Sequence, residues 1–232
     1  MAVSTIPIAD KELYIDSVEF SYSGTKTLLT GVYLNCKVGE VVALLGRNGC
    51  GKSTLLKILF GTLKPKNAFI RLNGTRIQQA YASREVCYMP QESLLPTAKT
   101  VKRIANLLVN DKNKIAELQA NDIIAKIWNS KIADISTGEK RYVEFLLLLA
   151  QPATFILLDE PFSGLSPYLQ ERVHADILAL KSEKGFIISD HHFRSVLQIS
   201  TQIVLLQNGG CRAIADKKDL EFFYVPTGTF DE

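Results

Sequence analysis

A chain of 232 residues supports one sizeable core with room for an inserted subdomain, and 22% charged against 47% hydrophobic residues excludes a disordered or fibrous protein. The formal net charge of +3 is too small to argue for nucleic acid as a partner. Four cysteines, Cys36, Cys50, Cys87 and Cys211, show no CxxC spacing and are expected as free, buried thiols in a reducing compartment. The opening Met1-Ala2-Val3-Ser4-Thr5-Ile6-Pro7 has neither a basic nor a long apolar segment, so no secretory leader is expected. The most lipid-like run, Phe145 to Leu158, is broken by Gln151 and Pro152 and falls short of the about 20 apolar residues that a bilayer span needs. A soluble, cytosolic protein is the expectation.

Residues Leu13 to Tyr22 alternate apolar and polar, as a half-exposed antiparallel strand does, and Val32 to Val38 reads as a second strand. Tyr22, at the end of the first, offers an aromatic face for a nucleobase or is an ordinary strand-end tyrosine. The run Val41-Val42-Ala43-Leu44-Leu45 reads as a buried parallel strand. It is followed by Gly46-Arg47-Asn48-Gly49-Cys50-Gly51-Lys52-Ser53-Thr54, which fits the phosphate-loop pattern G-x-x-x-x-G-K-[ST], and then by a helix with Leu55, Leu56, Ile58 and Leu59 on its apolar face. Glycines let backbone N–H groups approach a polyphosphate, and the helix start adds the positive end of its dipole. In such a loop Lys52 reaches the β- and γ-phosphates and Ser53 ligates Mg²⁺.

Phe69 to Ile77 carries an Asn73-Gly74 hairpin signal and reads as an antiparallel flap; Val86 to Met89 is a further strand, ending in Pro90-Gln91-Glu92. Gln91 could give an amide oxygen to a metal and hold an attacking water, or be a polar loop residue. From 97 to 134 the strand pattern stops and helical spacing takes over, which reads as an inserted helical unit. Ser136 and Glu139 in Ile135-Ser136-Thr137-Gly138-Glu139 have capping-box spacing, so a helix starts there, and its N–H groups could face a phosphate. Phe155-Ile156-Leu157-Leu158 delivers Asp159 and Glu160 at a strand end, where in a phosphate-loop protein the first completes the Mg²⁺ shell and the second polarises water. Ser166 before Pro167 is an N-cap, Gly185 to Ser189 is a core strand with Asp190-His191-His192 at its end, and residues 203–215 close the chain as a hairpin. His174 has no functional argument.

In order and spacing this set resembles the ATP-binding cassette (ABC) transporter family over essentially the whole chain. The matching segments are an aromatic A-loop at Tyr22, Walker A at 46–54, Q-loop at Gln91, signature at 135–139, Walker B at 155–160, D-loop at 163–166 and switch histidine at His191. The resemblance implies an α/β P-loop NTPase of the RecA-like kind: a parallel-sheet core with an antiparallel β subdomain (10–91 and 146–232) and an inserted helical subdomain (92–145) in a single nucleotide-binding domain. It further implies ATP and Mg²⁺ as cofactors, with Ser53, Gln91 and Asp159 on the metal and Lys52, Gln91, Glu160 and His191 as catalytic residues. Nucleotide contacts fall to Tyr22, the loop 46–54, Ser136, Gly138 and Glu139. A second nucleotide-binding subunit, alike or related, and a separate membrane permease are the implied partners, with the protein peripheral to the inner face of the cell membrane. The segment Ser189 to Leu197 is similar to the switch segment of lipopolysaccharide-export and branched-chain amino acid transporter ATPases.

Two departures from the family pattern stand out. Ile135 and Thr137 replace the usual leucine and first glycine of the signature, and Ser166 stands where the D-loop often has aspartate. Intact Glu160 and His191 imply hydrolysis. The competing readings are a soluble ABC ATPase not coupled to transport and a binding-only regulatory cassette.

Overall fold

The computed structural model describes residues 7, 10–22 and 26–230; Met1–Ile6, on which most of the leader expectation rests, lie outside them. In chain order the elements are β1 (Glu12–Tyr22), β2 (Lys26–Lys37), β3 (Val41–Leu45), α1 (Lys52–Phe60), β4 (Asn67–Leu72), β5 (Thr75–Ile77) and β6 (Val86–Met89). Then come α2 (Val101–Leu108), α3 (Lys112–Ala120), α4 (Asp122–Ile127), α5 (Thr137–Leu149), β7 (Phe155–Asp159), α6 (Pro167–Leu180) and β8 (Gly185–Ser189). The chain finishes with α7 (Phe193–Leu197), β9 (Gln202–Gln207), β10 (Gly210–Ile214) and α8 (Leu220–Phe223).

The apolar runs that read as buried strands form a six-stranded sheet of order β10-β9-β3-β8-β7-β6, parallel except for β10 at its edge. Every residue of β3, β7 and β8 is buried, because both faces of the sheet are covered. Successive side chains point to opposite faces, so β3 feeds two cores. Val41, Ala43 and Leu45 join the residues of α2, α5 and α6 on one side; Val42 and Leu44 join α1 and the antiparallel sheet on the other. That second sheet has the order β2-β1-β4-β5. The architecture is a P-loop NTPase α/β core with an antiparallel β subdomain and an inserted helical unit.

Two local readings change. β2 starts at Lys26, not Val32, because Gly31 at φ +63° sits inside the strand and interrupts the alternation that marks it. The helical insertion is three helices, each opened by its own cap. Thr100 accepts from Arg103 N at 3.2 Å, Asp111 from Asn113 N at 2.8 Å, and Asn121 from Ile123 N and Ile124 N at 3.1 and 3.2 Å. α5 then runs without interruption from Thr137 to Leu149. Tyr142 on α5 donates to Asp176 of α6 at 2.9 Å and accepts from Asn121 at 3.3 Å, while Tyr168 and Arg172 of α6 reach Asp122 at 3.0 and 3.1 Å. These polar contacts fasten the insertion to the core beside its apolar packing. The stretch Phe145–Leu158 divides between α5 and β7, and among the described residues no helix is long and apolar enough to cross a membrane.

Two expected outcomes follow from the packing. A Cβ at buried Gly185 would stand 2.7 Å from the Lys37 carbonyl oxygen and 2.8 Å from Phe155 Cδ1. Gly185→Ala should therefore lower unfolding stability by about 1–3 kcal/mol, seen as a lower urea midpoint; an unchanged midpoint would show that β2 yields freely. His174 packs edge-on against Phe162 with centroids 5.0 Å apart, and burial holds its pKa below the usual histidine range. The unfolded chain then binds this proton first, so stability should fall as pH drops from about 6.5, the ordinary histidine value, toward the lowered folded one. His174→Gln should flatten that part of the melting-temperature profile; a profile superimposable on the wild type would refute the assignment.

Candidate active site

The loop after β3 turns so tightly that side chains would block it. A Cβ at Gly46 would lie 2.5 Å from the Leu206 carbonyl oxygen, and Gly51, at φ +111°, would drive one to 2.9 Å from Leu29 Cδ2. Gly51 also begins α1 with no side-chain cap and no acidic residue in the first turn. α5 and α6 differ. Ser136 and Glu139 form the expected capping box, with Glu139 N donating to Ser136 Oγ at 3.2 Å and Ser136 N to the Glu139 carboxylate at 2.9 Å. Ser166 accepts from Leu169 N at 3.4 Å, with Pro167 in the first turn. The start of α1 therefore has no side-chain partner for its N–H groups, the geometry that suits an anion at a helix start.

Lys52 is buried, and its Nζ donates to the carbonyl oxygens of Gly46 at 2.8 Å and Arg47 at 3.4 Å, which folds the ammonium over the loop. Ser53 Oγ donates to Asp159 Oδ1 at 3.0 Å. Asp159 is 1% exposed and receives two further hydroxyls, from Ser189 Oγ at 2.6 Å and Tyr88 Oη at 3.0 Å. Burial, and then the neighbouring Asp159 carboxylate, raises the Tyr88 pKa, so it stays a protonated donor. Neither Tyr88 nor Ser189 stood out from sequence. The available signal was a polar residue within or ending an apolar strand, and the parallel pairing of Asp159 with Ser189 that brings two strand ends together.

Glu160 adopts φ +53°, a left-handed conformation that costs a non-glycine residue about 1–3 kcal/mol and recurs at functional sites. Its carboxylate accepts from Gln91 Nε2 at 3.0 Å and lies 3.3 Å from His191 Nδ1. His191 and His192 rings are 4.2 Å apart, but His192 opens α7 while His191 faces Glu160. Asp190 is fully buried and accepts the N–H groups of Phe162 and His192 at 2.9 and 2.8 Å, which holds the histidine loop against the turn after Glu160.

A cleft of about 420 Å³ collects Tyr22, Asn48, Gly49, Gly51, Lys52, Ser53, Thr54, Gln91 and Glu160 along its wall. Tyr22 is 56% exposed, with its hydroxyl 3.1 Å from Thr54 Oγ1. Arg47 is exposed and Cys50 is turned beneath the loop beside Gly46, its thiol pKa raised mainly by burial; neither lines the cleft. Ser136, Gly138 and Glu139 do not line it either. They lie at the start of α5 against the turn before α6, where a Cβ on Gly138 would come within 3.1 Å of the Gly164 carbonyl oxygen.

The family model for ABC transporters matches residues 29–163, more than half of the chain. The chain is similar to an uncharacterized ABC transporter ATP-binding protein of Rhizobium meliloti, at 31% identity over 80% of this chain and 73% of that one. It is similar also to the thiamine import ATP-binding protein ThiQ of Vibrio cholerae, at 30% identity over 79% of this chain and 82% of that one. Among solved structures, an ATP-binding subunit of an ABC transporter shares the fold with a TM-score of 0.79 at 24% identity, covering 90% of this chain and 92% of that one. A matched stretch that contains both the phosphate loop and the acid pair, on a shared fold, leads to one conclusion: this chain belongs to the ABC transporter family and is an ATP-binding cassette ATPase.

Proposed function

We propose that the protein is the ATP-hydrolysing subunit of a membrane transporter and works by nucleotide-driven closure of a dimer of cassettes. The observation that carries this is the separation of the start of α1 from the start of α5. The uncapped α1 lies in the cleft, whereas Ser136 and Gly138 do not line it and Gly138 lies against Gly164, an arrangement that supports their meeting a nucleotide held by a second subunit. That subunit is a second copy of this chain or a related one.

Within one subunit the roles divide by chemistry. N–H groups of the loop 46–54 and Lys52 bind the phosphates, Tyr22 stacks on the base, and Glu160 polarises the attacking water. Gln91 and His191 each face the same Glu160 oxygen, so they orient its carboxylate and report on the γ-phosphate. The donor set fits Mg²⁺: Asp159 is surrounded by hydroxyls with no side-chain cation paired to it among the described residues, and Ser53, Gln91 and Asp159 offer hard oxygens. Held by these oxygens, the ion would supply positive charge beside a nucleotide's phosphates. Thr137, whose Cγ2 lies 3.5 Å from a Cβ built on Gly164, adds bulk to the signature face and tunes closure.

A partner surface adjoins the site. Leu94, Leu107 and Leu108 are exposed around an apolar groove of about 460 Å³ that includes Pro90, the residue before Gln91. Exposed leucines beside a nucleotide-facing loop suit a permease segment, which would hold the protein on the inner face of the membrane.

Turnover of purified protein should rise per subunit with concentration and fall about 10²–10⁴-fold in Glu160→Gln. A wild-type rate in that variant would remove Glu160 from its role, and a rate per subunit independent of concentration would argue against dimer closure. Leu107→Asp, remote from the cleft, should leave that rate unchanged while moving the protein from the membrane pellet to the supernatant of its own cells. Equal pelleting would sink the docking assignment.

A further inference from the structure

Arg141 lies in the second turn of α5, two residues beyond Glu139, and its side chain is buried at 5% exposure. Its Nη1 donates to the Pro90 carbonyl oxygen at 2.6 Å and pairs with the Glu144 carboxylate at 3.3 Å. Its Nη2 donates to the main-chain oxygens of Asp159 and, at 3.1 Å, of Glu160. The Nε finds no partner, and burial lowers the guanidinium pKa, with Glu144 as the main counterweight. For stability alone this is a poor arrangement, since an apolar side chain of similar volume commonly serves as well as a buried ion pair. What only arginine brings is a flat fork that reaches several acceptors in fixed directions.

Those acceptors belong to the hydrolytic machinery. Pro90 precedes Gln91, and the other two carbonyls belong to Asp159 and Glu160. Glu160 holds its left-handed φ of +53° between two restraints: its N–H donates to the Ser189 carbonyl oxygen at 2.6 Å, and its own carbonyl accepts from Arg141. With both peptide groups held, the carboxylate is aimed at Gln91 and His191.

We propose that Arg141 is a positioning residue for ATP hydrolysis: its guanidinium holds the backbone of Glu160 and of the Gln91 segment in one register, so that carboxylate and amide meet the same water. Because it is rooted in α5, it also ties that register to the helix that begins with Ser136 and Gly138. The proposal rests on the reading of Glu160 as the residue that polarises water, and the experiment separates the two.

Turnover, ATP affinity by calorimetry and melting temperature are compared for wild type, Arg141→Lys, Glu160→Gln and the combination. Arg141→Lys keeps the charge and loses the fork. Its kcat should fall on the order of 10²-fold, as an ångström-scale misplacement does, while ATP affinity stays within about threefold. In the Glu160→Gln background it should cost nothing more, because both changes disable one unit. Arg141→Gln with Glu144→Gln removes the buried charges together and should show the same split between rate and affinity without stranding a carboxylate. Wild-type turnover in Arg141→Lys with Glu160→Gln inactive overturns the proposal alone. So does loss of ATP binding in step with turnover in both Arg141 variants, which would mark a scaffold residue, or an additive loss in the combination. Wild-type turnover in Glu160→Gln overturns the reading of Glu160 and this proposal with it.

Discussion

The buried carboxylate of Asp159 is the constraint on which the arrangement turns. A charge removed from water must be hydrogen-bonded or it destabilises the fold, and Asp159 meets that demand with three hydroxyls from three different elements. Ser53 comes from α1, Tyr88 from β6 and Ser189 from β8. One acid at the end of β7 thereby fixes the distance between the phosphate loop and the sheet it springs from. Apolar packing alone would hold these elements together without specifying that distance, because dispersion contacts are not directional.

The same sheet divides its labour by the period of its strands. Odd residues of β3 pack toward α5 and α6, even ones toward α1 and the β subdomain, so a short strand joins two cores that otherwise have separate partners. Several polar groups gather where the strands end. Lys52, Asp159, Glu160, Ser189 and Asp190 all lie at or just beyond carboxyl ends of parallel strands, the edge where α/β sheets offer crevices to ligands. The helical insertion is fastened to α5 and α6 by Tyr142, Tyr168 and Arg172.

How much of this was legible in the sequence depends on the range of the interaction. The phosphate loop, the Ser136–Glu139 box and the Ser166 cap are written within a few residues, and the structure forms the turn and both caps. The architecture was legible for a related reason, since apolar runs of β3, β7 and β8 need cover on both faces. Tyr88 and Arg141 were opaque. Tyr88 reaches an acid 71 residues away, and apart from the neighbouring Glu144 the acceptors of Arg141 are main-chain oxygens 18 or more residues away, which no periodicity marks. The start of β2 was missed for a third reason: a left-handed glycine inside a strand erases the very alternation used to find it.

The close approach of Gly138 to Gly164 carries a steric consequence. So little space lies between the backbone of α5 and the turn before α6 that a methyl group at Gly138 would press on that turn, and each segment carries a large buried side chain, Phe145 and Phe162. A molecule seated on this face would therefore touch two segments far apart in sequence, the start of α5 and the turn before α6, as one continuous surface.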